Sequence, residues 1–208
     1  MNDPSRPVIA VAILAGGNSR RMGKDKAALL EAHQSLIARQ VLDLRHVLPA
    51  LPVFVCAGPR RYPELLPHGI HYVSDEVDDG GPLAGIAEAL KAAKALNGGD
   101  GHVLVMPTDS LIPPSQIHRL LVDAATESAD VVLLKGQRLH PLHGLFSTQV
   151  APSMNRYLTA GGRAVMGFVD NERWKTALAP DDWEPCLNFN TPEEYTHARS
   201  ALPKTTVV

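Results

Sequence analysis

The sequence predicts an α/β protein with a mostly parallel sheet and helices on both faces. Two observations predict it. Apolar, β-branched runs of buried-strand length recur at 8–14, 52–56, 70–73 and 103–106. Segments of helical period lie between and after them, and such alternation argues for parallel strands joined by crossover helices. Ligands of such sheets bind beyond the carboxyl ends of the strands. The loop after residue 14, Cys56, Asp75 and Asp109 all follow apolar runs, so all should gather on one edge.

The first strand opens into Gly16-Gly17, and a short apolar stretch occupies 27–30. Ile37, Val41, Leu44 and Leu48 then recur at helical spacing, until Pro49 and Pro52 end that helix. After the second strand a short helix is expected over 62–66, and the third strand ends at Ser74-Asp75. Gly80-Gly81-Pro82 is a turn with proline suited to a first helical turn, and Leu83, Ile86, Leu90 and Ala93 mark a core face. A glycine-rich loop over 97–101 leads to the fourth strand and Pro107-Thr108-Asp109. Pro113-Pro114 opens a helix with Ile117, Leu120, Leu121 and Ala124 on one face.

Beyond it the pattern is less regular. Strands are expected over 131–134 and 142–146, joined by a polar turn over 135–138, and a last strand over 174–178. Short helices are expected over 154–158 and 165–169. Thr191-Pro192-Glu193-Glu194 is a capping box that starts a final helix over about 192–200.

The loop after the first strand carries the chemistry. Arg20, Arg21, Lys24 and Lys26 fall within seven residues, around a second flexible point at Gly23. Glycine backbone amides with dense cations suit a polyanion, most simply a triphosphate; a glycine turn with a solvated basic face is the plainer alternative. The Walker spacing is absent, because five residues separate Gly17 from Gly23 and Asp25 follows Lys24.

The stretch Leu14-Ala-Gly-Gly-x-Ser-x-Arg-Met-Gly-x-Asp-Lys26 resembles the signature of the molybdenum cofactor guanylyltransferases, nucleotidyltransferases that join a nucleoside monophosphate to a phosphorylated acceptor. Pro107-Thr-Asp109, Gly81-Pro-Leu-Ala-Gly85 and Asn188-Phe-Asn190-Thr-Pro-Glu resemble further motifs of that family, so the likeness runs from Ile13 to Glu194. It implies a Rossmann-like nucleotidyltransferase fold over residues 1–200, with a nucleotide-binding half over about 8–110, an acceptor-binding half over about 111–200, and a tail over 201–208.

The resemblance also implies roles. Arg21, Lys26 and Asp109 would be catalytic, and Leu14, Ala15, Gly16, Gly17, Lys26, Cys56, Asp75 and Asp109 would line the nucleotide. Asp109 and Asn190 would hold Mg²⁺, and Asn188 and Asn190 would face the acceptor. For Asp109 the alternative is an Asx-turn before Pro113. Asp75 is a candidate for reading guanine N1–H and N2 or else the ribose, which stays open. Cys56 departs from the family's frequent asparagine and suits a small buried residue. His140 and His143 suit a partly buried pair at a strand start rather than a zinc site.

The implied partners are GTP and a molybdopterin-type cofactor, with molybdoenzymes or their chaperones downstream. The implied reaction yields the guanine dinucleotide cofactor and pyrophosphate. Two other readings remain: a sister transferase for CTP or another phosphorylated acceptor, often with Ala-Ala-Gly in place of Ala15-Gly-Gly17, and a nucleotide-binding regulatory module without turnover.

Composition bounds these readings. With 208 residues, 45% hydrophobic and 20% charged, the chain suits one globular domain. A net charge of −2 argues against a general nucleic-acid binder. The first apolar run is too short for a membrane span, and no signal-peptide layout is present. Two cysteines suit free thiols in a reducing cytoplasm.

Overall fold

The computed structural model describes residues 6–16, 25–31, 33–73 and 80–202. In chain order the strands and helices are β1 (Val8–Leu14), β2 (Leu30–Glu31), β3 (Gln34–Ser35), α1 (Leu36–Val47), β4 (Val53–Cys56), β5 (Ile70–Val73), α2 (Gly81–Asn97) and β6 (His102–Pro107). They continue with α3 (Pro114–Ala124), β7 (Val131–Lys135), β8 (Leu139–Ser147), α4 (Ala151–Thr159), α5 (Val165–Val169), β9 (Trp174–Leu178), α6 (Glu184–Leu187) and α7 (Pro192–Ala201).

Seven strands form one sheet in the order β5-β4-β1-β6-β8-β7-β9. β1 runs parallel to its neighbours β4 and β6, and β5 runs parallel to β4. β1, β4 and β6 are apolar along nearly their whole length and almost wholly buried, as strands covered on both faces must be. Their side chains alternate between two cores. Val11, Ile13 and Val55 pack with α1 and α3, whereas Ala12, Leu14 and Phe54 pack with α2, α4 and α5.

Each helix faces its core for a local reason. Ser35 caps α1, its hydroxyl accepting from Ala38 N at 3.3 Å, and Ile37, Val41 and Leu44 lie buried beneath. In α2 the expected stripe Leu83, Ile86, Leu90 and Ala93 is buried, and Gly98 at φ 69° ends the helix with its N–H on Lys94 O. Cys56 and Cys186 are both buried. Among the described residues no helix is long and apolar enough to cross a membrane.

The expected fold class is met, with four local differences. The second half of the sheet is mixed, because β8 is antiparallel to both β6 and β7. β8 starts at Leu139, three residues before the expected start, because Gly136 N bonds Arg138 O at 3.0 Å and turns the chain tightly. The small hairpin β2–β3 was not expected; two-residue strands carry no periodicity to read. The expected helix near 62–66 is a 3-10 helix over Pro63–His68.

Candidate active site

The register of the parallel strands aligns their carboxyl ends. Leu14 lies beside both Cys56 and Pro107, and Cys56 lies beside Val73. Ala15 N donates to Cys56 O at 2.9 Å, and Thr108 N donates to Leu14 O at 3.4 Å. The connections after β1, β4, β5 and β6 therefore start on one edge, as the sequence predicts. Leu14 and Ala15 bury their side chains, which leaves Gly16 as the exposed start of the loop, close against the Cys56 carbonyl. Cys56 turns its thiol to Gly85 O at 3.4 Å, inward toward α2. Gly17, Arg21 and Asp75, expected on this edge, lie outside the described residues.

The chain re-enters at Asp25, which shapes the turn bearing Lys26. Asp25 Oδ1 accepts from Ala27 N at 3.1 Å, and Oδ2 accepts from the Tyr62 hydroxyl at 3.0 Å. Burial, and then that bond to the carboxylate, push the Tyr62 hydroxyl pKa well up, so it stays a donor. Asp25 adjoins Lys26 in the motif, but no local pattern signals this anchoring role.

Lys26 ends in a closed ring of polar groups. Its ammonium donates to Asp109 Oδ2 at 3.2 Å, Phe189 O at 2.8 Å and Asn190 Oδ1 at 2.7 Å. Asn188 Nδ2 reaches the same Asp109 oxygen at 3.3 Å, and Asn190 Nδ2 donates to Asn188 Oδ1 at 2.7 Å. The ring thus runs Lys26, Asp109, Asn188, Asn190 and back to Lys26.

The local sequence explains why these groups meet. Asn188 is extended, so Asn188 and Asn190 share one side while Phe189 points away. Phe189 is fully buried, with its ring 5.0 Å from that of Tyr195. Thr191 caps α7 by accepting from Glu194 N, and the Glu194 carboxylate takes the N–H of Asn190, one residue earlier than a standard box. Phe189 N donates to Asp109 O and Leu111 N donates to Cys186 O, which stitches the end of β6 to this segment.

Asp109 sits in tension. Burial pushes its pKa up, while the Lys26 ammonium pulls it down. Its Oδ1 is buried and lacks a hydrogen-bond partner among the described residues. A carboxylate oxygen, an amide oxygen, a main-chain carbonyl and that spare Oδ1 form a hard-oxygen set of the kind Mg²⁺ takes. Among the described residues no group of three His, Cys, Asp or Glu could hold a metal.

Beside the ring, Gln137, Arg138, Glu184, Glu194 and His197 line a groove that shares Asn188 and Asn190. Glu184 organises one wall, accepting from Gln137 N at 2.8 Å, pairing with His140 Nε2 at 3.3 Å and with Arg138 Nε at 3.1 Å. Nothing in the sequence around Glu184 signalled this. His140 and His143 form a pair, ring centroids 5.8 Å apart and edge to face, but both are buried within β8 rather than partly buried at its start.

Burial pushes the fully buried His143 down to about 3. A histidine held below its unfolded value contributes stability that is present above about pH 6.5 and lost as pH falls toward the folded value. His143→Leu is expected to flatten the acid limb of stability between pH 6.5 and 4, where one such group costs about 1.4 kcal/mol per pH unit. Urea unfolding of both proteins across that range measures it; parallel curves would contradict it.

The comparisons with known proteins bear on the family and the fold. The family model described as "MobA-like NTP transferase domain" matches residues 11–174. This chain belongs to that family. Curated relatives of this MobA-like transferase include a molybdenum cofactor guanylyltransferase of Cereibacter sphaeroides, 34% identical over 193 residues, covering 92% of this chain and 96% of the relative. Another, of Rhizobium meliloti, is 30% identical over 200 residues, covering 92% and 90%. Among solved structures, molybdopterin-guanine dinucleotide biosynthesis protein A from Archaeoglobus fulgidus aligns with TM-score 0.68 at 20% identity, covering 92% and 97%. A 2-C-methyl-D-erythritol 4-phosphate cytidylyltransferase from Thermus thermophilus aligns with TM-score 0.62 at 16% identity, covering 91% and 96%. At those identities the structures establish the fold alone. The MobA-like chain is a nucleotidyltransferase.

Proposed function

We propose that the protein transfers GMP from GTP to the terminal phosphate of a molybdenum-bound molybdopterin, releasing pyrophosphate. The observation that carries this reading is the ring of Lys26, Asp109, Asn188 and Asn190 at the carboxyl edge of the sheet. It shares Asn188 and Asn190 with the groove at Arg138 and His197, and it lies on the sheet edge where the glycine-rich loop starts, which suits donor and acceptor meeting there. The names of the curated relatives support the same substrates.

The chemistry asks mainly for positioning and charge neutralisation. The acceptor phosphate oxygen attacks the α-phosphorus of GTP, and the bond to the pyrophosphate oxygen breaks, so no covalent nucleophile is needed. Lys26 and Arg21 offset charge on the triphosphate and the leaving pyrophosphate. Asn188 and Asn190 orient the acceptor through side-chain amides. The spare Oδ1 of Asp109 and the amide oxygen of Asn190 would hold Mg²⁺, which when bound supplies positive charge where two phosphates approach. In this reading residues 8–110 serve the nucleotide and 111–200 the acceptor.

Ala15-Gly16-Gly17 and Asp75 favour guanine. Calorimetric titration with GTP, ATP, CTP and UTP in the presence of Mg²⁺ is expected to give tightest binding for GTP. Preference for CTP would move the protein to a sister transferase class. Asp75→Ala should lose part of the preference, and an unchanged preference would remove Asp75 as the reader of the base.

A further inference from the structure

The three hydrogens of an ammonium can serve three acceptors. Those of Lys26 are all spent, on Asp109 Oδ2, Phe189 O and Asn190 Oδ1. None remains for a phosphate. The same oxygens are the hard donors that a divalent cation would take at this edge. One further acceptor, Asp109 Oδ1, is buried beside them and has no hydrogen-bond partner among the described residues. The lysine thus stands where a metal's positive charge would stand, and it satisfies the cage incompletely.

We propose that Lys26 closes this cation site in the nucleotide-free protein, and that the nucleotide's phosphates draw its ammonium away so that a divalent cation can replace it. The inference rests on the metal reading above and deepens it. The two cations exclude each other, because one small set of oxygens cannot serve an ammonium and a divalent ion together. A triphosphate offers the ammonium new anionic oxygens, so nucleotide and metal binding become coupled through one side chain. The lysine has a flexible stem suited to such a move. Its neighbour Asp25 keeps the turn anchored through Ala27 N and Tyr62 while the stem swings. The arrangement also keeps the Asp109 carboxylate paired while no nucleotide is bound.

The test uses Mn²⁺ as the probe, without nucleotide, followed by the loss of the free-ion paramagnetic resonance signal on titration with full-length protein. Lys26→Met keeps the stem and removes the charge. It is expected to bind Mn²⁺ about tenfold or more tightly than the wild type, within the usual range of such couplings. Adding Asp109→Asn to Lys26→Met should abolish the gain, which locates the ion. Arg138→Met removes a cation of the neighbouring groove that does not enter the cage, and it should gain far less. Circular dichroism melts on the same samples certify the fold. Unchanged or weaker Mn²⁺ binding in folded Lys26→Met would overturn the exchange. So would an equal gain in Arg138→Met, which would make the effect one of net charge, or a gain that survives Asp109→Asn. The calorimetric nucleotide preference does not depend on these outcomes, so the exchange can fail while the guanylyl-transfer reading stands.

Discussion

Asp109→Asn lowers turnover on the order of 10²-fold or more, about the loss seen when one preorganised electrostatic contact is removed. The substitution keeps the size of the side chain and one carbonyl acceptor, but removes the only carboxylate in the ring. The structure adds a stability consequence. Asp109 Oδ1 is buried without a partner among the described residues, so an amide there would bury an unmatched donor at about 1–3 kcal/mol. Pyrophosphate release and urea unfolding on one preparation separate the two effects. A variant that turns over like the wild type would return Asp109 to a turn residue before Pro113.

Lys26→Met is expected to weaken triphosphate binding roughly 10- to 100-fold, since a hydrogen bond to a charged group is worth about 1.5–3 kcal/mol. Turnover should fall with it, because the ammonium meets anionic charge in ground and transition states alike. The stability effect has a sign that can be checked. Burial already raises the Asp109 pKa against the pull of Lys26. Without the ammonium it rises further. A carboxylate whose folded value lies above its unfolded value favours the fold at low pH and penalises it as pH rises through the folded value. The deficit of Lys26→Met against the wild type should therefore be larger at pH 8 than at pH 5. Equal urea midpoint shifts at both pH values would show that Asp109 does not depend on Lys26.

Much of the edge was legible in the sequence. Alternation of apolar runs with helical segments gave β1, β4, β5 and β6 their common direction, and direction alone gathered Gly16, Cys56 and Asp109. Alternation along Asn188-Phe189-Asn190 put two amides on one side, and the buried Phe189 ring secures that orientation. The remainder depended on contacts that no local pattern encodes. An apolar run carries no sign of its direction, so the antiparallel insertion of β8 was invisible. Lys26 and Asp109 are both expected at the nucleotide, but their direct contact across 83 positions of sequence has no local signal. The roles of Asp25 and Glu184 rest on long-range partners, Tyr62 and the 137–140 turn, that only the fold brings near.

The most direct measurement is pyrophosphate release by the wild-type protein with GTP and Mg²⁺, with and without molybdenum-bound molybdopterin. The account expects release that requires the acceptor, is strongest with GTP among the four nucleotides, and yields the guanine dinucleotide form of the cofactor. Binding of GTP with no release in the presence of competent acceptor would contradict it, and would make the protein a nucleotide-binding module built on a transferase fold.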